Sequence, residues 1–248
     1  MIHGMMLVRN EAERTINKQK NIFNGVLTEM QMLCDSLTII DDNSDDSTAK
    51  YVKFVVSDNS NYIKPVIDFN LIENKDRQWD KNEVNVRKQL WESTIKKAKH
   101  DDWIVCFDAD ELIDDSLALN YMLKALPPHV DGLGFRLFDM WDMEHYREDE
   151  YWKAHFYPWT FAVRYDANKE YVWHEKALHC GRFPANASQR MLPTMIPVRH
   201  YGWALEEDRI KKYERYMRID GDGKHGILAQ YQSILDKNPN LVRFGVML

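Results

Sequence analysis

The feature that most constrains the fold is a run of five apolar residues, 103–107, that ends directly in Asp108-Ala109-Asp110-Glu111. A short apolar run between charged residues predicts a strand that is buried on both faces of a sheet. The carboxylates then lie where the strand leaves the sheet, which is the edge at which α/β proteins bind ligands. Two carboxylates at such a strand end suit Mg²⁺ or Mn²⁺. A solvated acidic loop before a helix would have the same sequence pattern, so both interpretations stay open at this point.

The first half of the chain alternates strand patterns with helix patterns. Asn10 and Glu13 have the spacing of a capping box, which predicts that a helix begins there. Strands that alternate with helices predict an α/β fold with a Rossmann-like, mostly parallel sheet flanked by helices. The predicted strands are residues 5–8, 37–40, 66–72 and 103–107, and two predicted helices span residues 10–33 and 86–98.

The second half of the chain has a different pattern. After a predicted helix at 117–126, two predicted strands at 134–138 and 160–165 are separated by a long, charged insertion, and another helix is predicted at 205–219. We expect this mixed half to receive the substrate. Its tryptophans could pack in the core or stack on the C–H faces of sugars. Five of the eight tryptophans of the chain lie here, namely Trp141, Trp152, Trp159, Trp173 and Trp203.

Composition narrows the class of protein. The 248 residues carry a formal net charge of −6, which argues against a nucleic-acid groove, since such grooves need a broad basic surface. No stretch approaches the roughly 18 apolar residues of a membrane span, and residues 1–4 do not resemble a secretory leader. The three cysteines, Cys34, Cys106 and Cys180, are odd in number and widely spaced, which indicates reduced thiols. We therefore expect a cytoplasmic protein, with peripheral membrane association left open.

Four ordered segments resemble the family-2 glycosyltransferases with the GT-A fold. They are Val8-Arg9-Asn10-Glu11, residues 40–48, Val86-Arg87-Lys88-Gln89 and residues 103–111. The Asp-Ala-Asp-Glu form is similar to that of a bacterial and phage subgroup. The resemblance covers about the first 125 residues. It implies one GT-A domain over residues 1–248, with a nucleotide-sugar-binding half at 1–125 and an acceptor half at 126–248.

The resemblance also implies an activity: metal-dependent transfer of a sugar from a nucleotide diphosphate sugar to a hydroxyl of a glycan, lipid-linked or protein acceptor. A divalent cation, Mn²⁺ or Mg²⁺, would offset the charge that develops on the leaving diphosphate. By the same resemblance Asp42 corresponds to the family aspartate that meets the base. A carboxylate can accept the N3–H of uracil, which favours UDP, although guanine also presents a ring N–H and GDP stays open. Asp41, the neighbour of Asp42, could instead cap a helix.

The remaining donor-side roles follow from the same resemblance. Asp110 would bind the metal directly, and Asp108 would hold the ribose or the metal through water. Arg87 matches the family arginine near the diphosphate, with an exposed helix charge as the alternative. The segment Val8-Arg9-Asn10 would contact the nucleotide. His200 is the choice for a third metal ligand, since a late histidine often supplies it and imidazole suits Mn²⁺.

His200 could instead cap the following helix or lie half-buried beside Trp203. The general base is harder to locate, because an inverting transfer needs a carboxylate near the acceptor hydroxyl. Trp173-His174-Glu175 resembles the acceptor-side His-Glu pair of the subgroup, which makes Glu175 the candidate. Glu175 could equally pair with Lys176 or Arg182. Two other acidic segments, Glu148-Asp149 and Glu206-Glu207-Asp208, are the remaining candidates.

Two other classes of function compete with a glycosyltransferase. A sugar-1-phosphate nucleotidyltransferase would share the α/β plan and the metal, but it needs a glycine-rich loop after the first strand. Residues 5–14 contain no glycine. A non-catalytic protein that binds a nucleotide sugar or a glycan would keep the donor pocket and lack the base.

Overall fold

The computed structural model of the chain describes residues 1–17, 22–57, 67–79 and 81–245. Residue 66, the predicted start of the third strand, and residues 18–21 of the predicted first helix lie outside these ranges. The strands are β1 (Ile2–Val8), β2 (Ser36–Asp41), β3 (Asp68–Glu73), β4 (Trp103–Cys106), β5 (Glu111–Ile113), β6 (Gly132–Asp139), β7 (His145–Arg147), β8 (Pro158–Arg164), β9 (Met191–His200) and β10 (Leu241–Arg243). The helices are α1 (Glu11–Asn17), α2 (Ile22–Leu33), α3 (Thr48–Ser57), α4 (Glu83–Ile95), α5 (Ser116–Ala125), α6 (Glu206–Asp220) and α7 (Leu228–Ser233).

One eight-stranded sheet runs through both halves of the chain. Its order is β3-β2-β1-β4-β8-β6-β9-β5. The strands β3, β2, β1 and β4 pair in parallel, whereas β8 pairs antiparallel with both β4 and β6. β6 pairs parallel with β9, and β5 pairs antiparallel with β9. The predicted α/β class with a mostly parallel sheet is therefore confirmed. Beyond β4, the sheet continues with β8, β6 and β9, which come from residues 126–248.

Strand β4 is buried on both faces, as its apolar run predicts. Successive side chains of a strand point to opposite faces. Accordingly Trp103 and Val105 belong to the core cluster that includes residues of α2, whereas Ile104 and Cys106 belong to the cluster that includes residues of α4. Cores on both faces hold β4 in place, and the acidic residues that follow it are positioned by this packing.

The capping box predicted at Asn10 and Glu13 is wrong. Asn10 has φ of 53°, and its side-chain oxygen accepts a hydrogen bond from the backbone of Asp45 instead of from α1. The first turn of α1 is capped from another segment: Thr48 Oγ1 accepts from the N–H groups of Glu11 and Ala12. A cap supplied from 36 or 37 residues away satisfies the free N–H groups equally well, but it leaves no spacing to read in the sequence.

The sheet contains strands that the sequence pattern does not predict. β9 includes Pro193 and Pro197 and alternates poorly, yet it pairs with β6 over most of its length. β5 has only three residues and pairs antiparallel with the end of β9, where Glu111 lies opposite His200. This pairing connects the acidic segment after β4 to the late histidine.

The remaining predictions about the interior are confirmed in part. All three cysteines are free and buried. Of the five tryptophans of the second half, only Trp159 is well exposed, at 47%; the others are at most 9% exposed and pack in the core. No helix in the described part of the chain is long and apolar enough to cross a membrane.

The ring of Phe135 stacks on Phe107 and on Phe161, so we expect Phe135 to contribute strongly to stability. Phe135 is fully buried, with ring centroids 6.2 Å from Phe107 and 5.3 Å from Phe161. We expect Phe135→Ala to lower the free energy of unfolding by roughly 3–5 kcal/mol, because it leaves a cavity. Phe54, on α3, is 67% exposed, and Phe54→Ala is the matched control with a loss below about 0.5 kcal/mol. Urea unfolding measures both, and equal losses would contradict the prediction.

Candidate active site

A cavity of about 660 Å³ opens at the carboxyl edge of the parallel strands. This is the edge predicted from the acidic sequence after β4. Seven of the predicted site residues line it: Val8, Arg9, Asp42, Arg87, Asp108, Asp110 and His200. Asn10 and Glu175 are not among the lining residues that the structure describes. Whether the seven act on a substrate stays a prediction, but the fold brings them to one place.

Asp108 is held by arginines from two separate segments. Arg87, on α4, donates to both carboxylate oxygens of Asp108 at 2.8 and 2.9 Å. Arg182 approaches the same carboxylate at 3.5 Å and also makes a bidentate pair with Glu111. Burial alone raises the pKa of Asp108, but Arg87 and Arg182 outweigh burial and hold its pKa well below the usual range. Asp108 is therefore a fixed anion, and Arg87 is a buried partner, not an exposed helix charge.

Asp110 faces a second group of cationic side chains. Its carboxylate lies 3.8 Å from Nε2 of His200, 3.9 Å from Arg14 and 4.0 Å from Lys212. Burial raises the pKa of Asp110, but the positive charges of His200, Lys212 and Arg14 outweigh it, and the net shift is downward. These distances are longer than hydrogen bonds, so the oxygens of Asp110 remain available to a ligand.

His200 is oriented by a carboxylate that the sequence analysis did not single out. Asp139, at the end of β6, lies 2.8 Å from Nδ1 of His200 and accepts the indole N–H of Trp203 at 3.1 Å. Burial lowers the pKa of His200, but Asp110 and Asp139 outweigh it and raise the pKa above 6.5. A carboxylate on one imidazole nitrogen, with the other nitrogen facing a site, is the usual arrangement behind a metal-binding histidine. One feature of the sequence could have indicated Asp139: like Asp108, it is an aspartate at the end of a strand.

The residues present fit a divalent cation in part. Two ligands of one ion lie roughly 3.0–3.4 Å apart when each bond is ~2.1 Å, so Asp110 and His200 need only a small shift to share one. Asp108 uses both oxygens on Arg87, which favours contact through water over direct ligation. Among the described residues, no three histidine, cysteine or acidic side chains are already grouped for a metal. The three-residue metal set thus stays a prediction, with Asp110 and His200 as its best-placed members.

The charges of the cavity wall are balanced. Over the described ranges, six arginine or lysine side chains and six aspartate or glutamate side chains line the cavity. Arg14 links several of them, since it pairs with Glu11 at 2.8 Å and with Asp208 at 3.1 Å. Burial is the main reason that the pKa of Glu11 rises to about 7 and that the pKa of Lys212 falls. Arg14, Arg182 and Lys212 have no pattern in the sequence that marks them as site residues.

Asp42 supports the wall of the cavity. Its carboxylate accepts hydrogen bonds from the backbone N–H groups of Gln78 and Trp79 at 2.8–3.0 Å and from the amide of Asn74 at 3.2 Å. The ring of Trp79, which also lines the cavity, lies 5.0 Å below the Arg87 guanidinium. Contact between Asp42 and a nucleotide base stays a prediction, and any base would compete with these bonds. Asp41 does not cap a helix; it accepts from the N–H of Ser44 within the loop.

The structure places the predicted base away from the cavity wall. Glu175 is 67% exposed and pairs with Lys88, not with Lys176 or Arg182. Its neighbour His174 does line the cavity. The alternative carboxylates serve other contacts: within the insertion, Glu148 pairs with His155 and Asp149 with Arg147. Asp208, from the other acidic segment, pairs with Arg14.

Comparisons with known proteins support the fold. No family model matches the chain. The crystal structure of S. aureus TarS superposes with a TM-score of 0.52 and 13% identity, covering 94% of this chain and 42% of TarS. TarS residues 1–349 in complex with UDP-GlcNAc superpose with a TM-score of 0.46 and 11% identity, over 94% of this chain and 70% of that one.

The two relatives that match by sequence are uncharacterised proteins. Uncharacterised proteins of Mycobacterium tuberculosis and Mycobacterium bovis are each 25% identical over 144 residues, which is 54% of this chain and 33% of each relative. The chain thus spans a third of their length and less than half of that of TarS. The likeness to TarS shows the fold alone: a mixed α/β, GT-A-like sheet flanked by helices, as the sequence resemblance predicts.

The Arg87–Asp108 pair predicts a stability difference between two neighbouring positions on α4. The side chain of Arg87 is 4% exposed, whereas Lys88 and its partner Glu175 are 32% and 67% exposed. We expect Arg87→Ala to cost roughly 3–5 kcal/mol, because it leaves a partly buried carboxylate with less compensation. Lys88→Ala should cost less than about 1 kcal/mol, since it breaks an exposed pair. Denaturant unfolding decides this; a loss for Arg87→Ala no larger than for the control would refute it.

Proposed function

We propose that this chain is a metal-dependent glycosyltransferase of the family-2 type, which transfers a sugar from a UDP-sugar to a hydroxyl of a glycan, lipid-linked or protein acceptor. The observation that carries the proposal is the meeting of Asp108, Asp110 and His200 in one cavity at the carboxyl edge of the parallel strands. Asp108 and Asp110 follow β4, whereas His200 is the last residue of β9 and lies far from them in the sequence. Their convergence has no structural purpose that a core requires, because all three are polar and partly accessible.

The size and position of the cavity suit a nucleotide sugar. Its volume of about 660 Å³ falls in the range of roughly 300–1,000 Å³ that is typical of small-molecule sites. Its position beyond the strand ends is where open α/β sheets bind nucleotides. TarS, which shares the fold, has been crystallised with UDP and with UDP-GlcNAc, which supports a UDP-sugar as the donor.

Charge balance supports a divalent cation as the cofactor. The wall has equal numbers of acidic and basic side chains, so a bound diphosphate would add negative charge that the wall alone does not offset. Mn²⁺ or Mg²⁺ bound by Asp110 and His200 would stabilise the charge of the leaving diphosphate. Arg14, Arg182 and Lys212 are positioned to bind the same anion, since each reaches the carboxylates at the cavity floor.

The protein's own residues would act by positioning. Arg87 keeps Asp108 ionised, and Asp139 keeps His200 oriented with Nε2 toward Asp110. Glu175 would accept the proton of the acceptor hydroxyl in an inverting transfer. It needs to approach from the rim, where His174 already lines the cavity.

One observation favours a second candidate, a non-catalytic protein that binds a nucleotide sugar. Within the described ranges, every carboxylate that lines the cavity comes from the first 125 residues, so the acceptor half brings none to the wall. A binding protein would have no need of such a group. Release of sugar from UDP-GlcNAc in the presence of Mn²⁺ separates the two candidates, because a binding protein would not hydrolyse it.

Metal dependence is tested through Asp110. We expect UDP with Mn²⁺, at about 100 times the dissociation constant, to stabilise the wild type by about 2.7 kcal/mol, and UDP with EDTA to stabilise it far less. Asp110→Asn should lose the Mn²⁺-dependent part in a thermal-shift titration. Asp101→Asn is the control, since Asp101 is 57% exposed and asparagine tolerates its φ of 71°. Equal stabilisation with Mn²⁺ and with EDTA would remove the metal from the proposal.

The role of Glu175 is tested by Glu175→Gln. Removing a general base lowers the rate typically 10²–10⁴-fold and leaves donor binding unchanged. We expect this variant to bind UDP as tightly as the wild type in calorimetry and to hydrolyse UDP-GlcNAc far more slowly. Glu170→Gln, at another exposed position of the same segment, should keep the wild-type rate. Full activity of Glu175→Gln would assign the base to another carboxylate.

A further inference from the structure

A second, shallower depression lies next to the cavity. It has a volume of about 410 Å³ and is lined by Tyr151, Lys153, Tyr157, Trp159 and Gln230, with Ala154 and Pro158 between them. We call this depression the aromatic groove. Trp159 belongs to the walls of both the groove and the cavity. The groove and the cavity are therefore neighbours, with Trp159 in the wall of each.

The groove presents two aromatic rings to solvent. Trp159 is 47% exposed and Tyr157 is 55% exposed, whereas the other four tryptophans of the second half are at most 9% exposed. Exposure of large aromatic rings in one place, beside a polar cavity, is typical of a binding surface. The core does not require these rings, because Trp159 and Tyr157 lie at the start of β8 or before it, whereas the phenylalanine cluster that fills the interior includes Phe161 farther along the strand.

Trp159 is fixed in its orientation. Its indole N–H donates to the carbonyl of Ala154 at 2.8 Å, within the short turn Ala154–Phe156. That turn is anchored by His155, which pairs with Glu148 at 2.7 Å and stacks on Phe138 at 5.1 Å. The indole N–H is thus bound to the turn while about half of the side chain stays exposed. A rigid ring loses little conformational entropy when a ligand stacks on it.

The other groups of the groove are hydrogen-bonding groups. Lys153 is exposed, and Gln230 reaches the groove from α7, where its amide donates to the carbonyl of Tyr151 at 3.0 Å. The side-chain oxygen of Gln230 and the hydroxyl groups of the tyrosines add acceptors and donors. Aromatic faces with a polar rim match a sugar ring, which has apolar C–H faces and hydroxyl groups at its edge. An acyl chain would leave these polar groups without partners.

We infer that the aromatic groove is the acceptor subsite, and that it binds the sugar rings of a carbohydrate chain by stacking on Trp159 and Tyr157. This inference rests on the proposed function, because only a donor in the cavity makes the neighbouring groove an acceptor site. It selects the glycan among the three acceptor classes. Trp159 would hold the terminal ring next to the donor sugar, and Tyr157 would hold a ring farther out.

Binding of defined oligosaccharides tests the inference. The probes are cellohexaose, chitohexaose and an oligogalacturonate, titrated by calorimetry in the presence of UDP and Mn²⁺. We expect at least one to bind the wild type, and Trp159→Ala and Tyr157→Ala each to weaken that binding about ten-fold, the loss of one ring stack. Trp159→Phe keeps a ring face and should weaken it less. Both residues are about half exposed, so their variants should fold with an unchanged Tm.

A matched control lies in the same turn. Phe156 is 57% exposed but does not line the groove, and Phe156→Ala should bind the probes as the wild type does. The inference is overturned if none of the three probes binds, or if Phe156→Ala loses as much affinity as Trp159→Ala. Calorimetry with UDP and Mn²⁺ alone is run on every variant. Probe binding that depends on Trp159 in a protein that does not bind UDP would support a carbohydrate groove and refute the proposed donor site.

Discussion

The bidentate pair between Arg87 and Asp108 is the interaction on which the site depends. A carboxylate at the end of a buried strand loses solvation, so it stays ionised only where cations compensate it. Arg87 provides this from α4, and Arg182 provides it from a loop some 70 residues after Asp108. Asp110 also needs positive charge nearby to stay ionised, and Arg14 on α1 and Lys212 on α6 supply it. The acidic strand end thus gathers segments from the whole chain around one cavity.

The sheet explains why donor and acceptor sites would be neighbours. β4 is parallel to β1 on one side and antiparallel to β8 on the other, so it joins the two halves of the chain within one sheet. β8 begins at the aromatic groove, with Trp159 as its second residue, and runs back along β4. Because antiparallel neighbours exchange ends, the start of β8 lies at the same edge as the end of β4. The groove therefore opens beside the acidic residues.

The late histidine reaches the site through strand pairing. β9 and β5 pair so that His200 lies opposite Glu111, directly after the acidic segment. β6 runs parallel to β9 and ends at Asp139, opposite His200 in register. Asp139 can therefore bind Nδ1 of His200 while Nε2 faces Asp110. The arrangement needs no flexible segment, since three strand ends define it. In a glycosyltransferase, such rigidity would keep the donor in place during transfer.

The sequence alone determined the α/β class, the strands β1 to β4 and the location of the acidic residues, because period-2 and period-3.6 patterns and buried runs are local. Only the tertiary structure decided which side chains compensate the charges of those carboxylates. Arg182 has no motif, and the cap that Thr48 gives to α1 comes from a separate segment. The partner of Glu175 was likewise set by the tertiary structure: it pairs with Lys88 on the surface, a contact that no sequence pattern indicates. Charge compensation acts through space, so its partners are set by packing and strand order and leave no spacing along the chain.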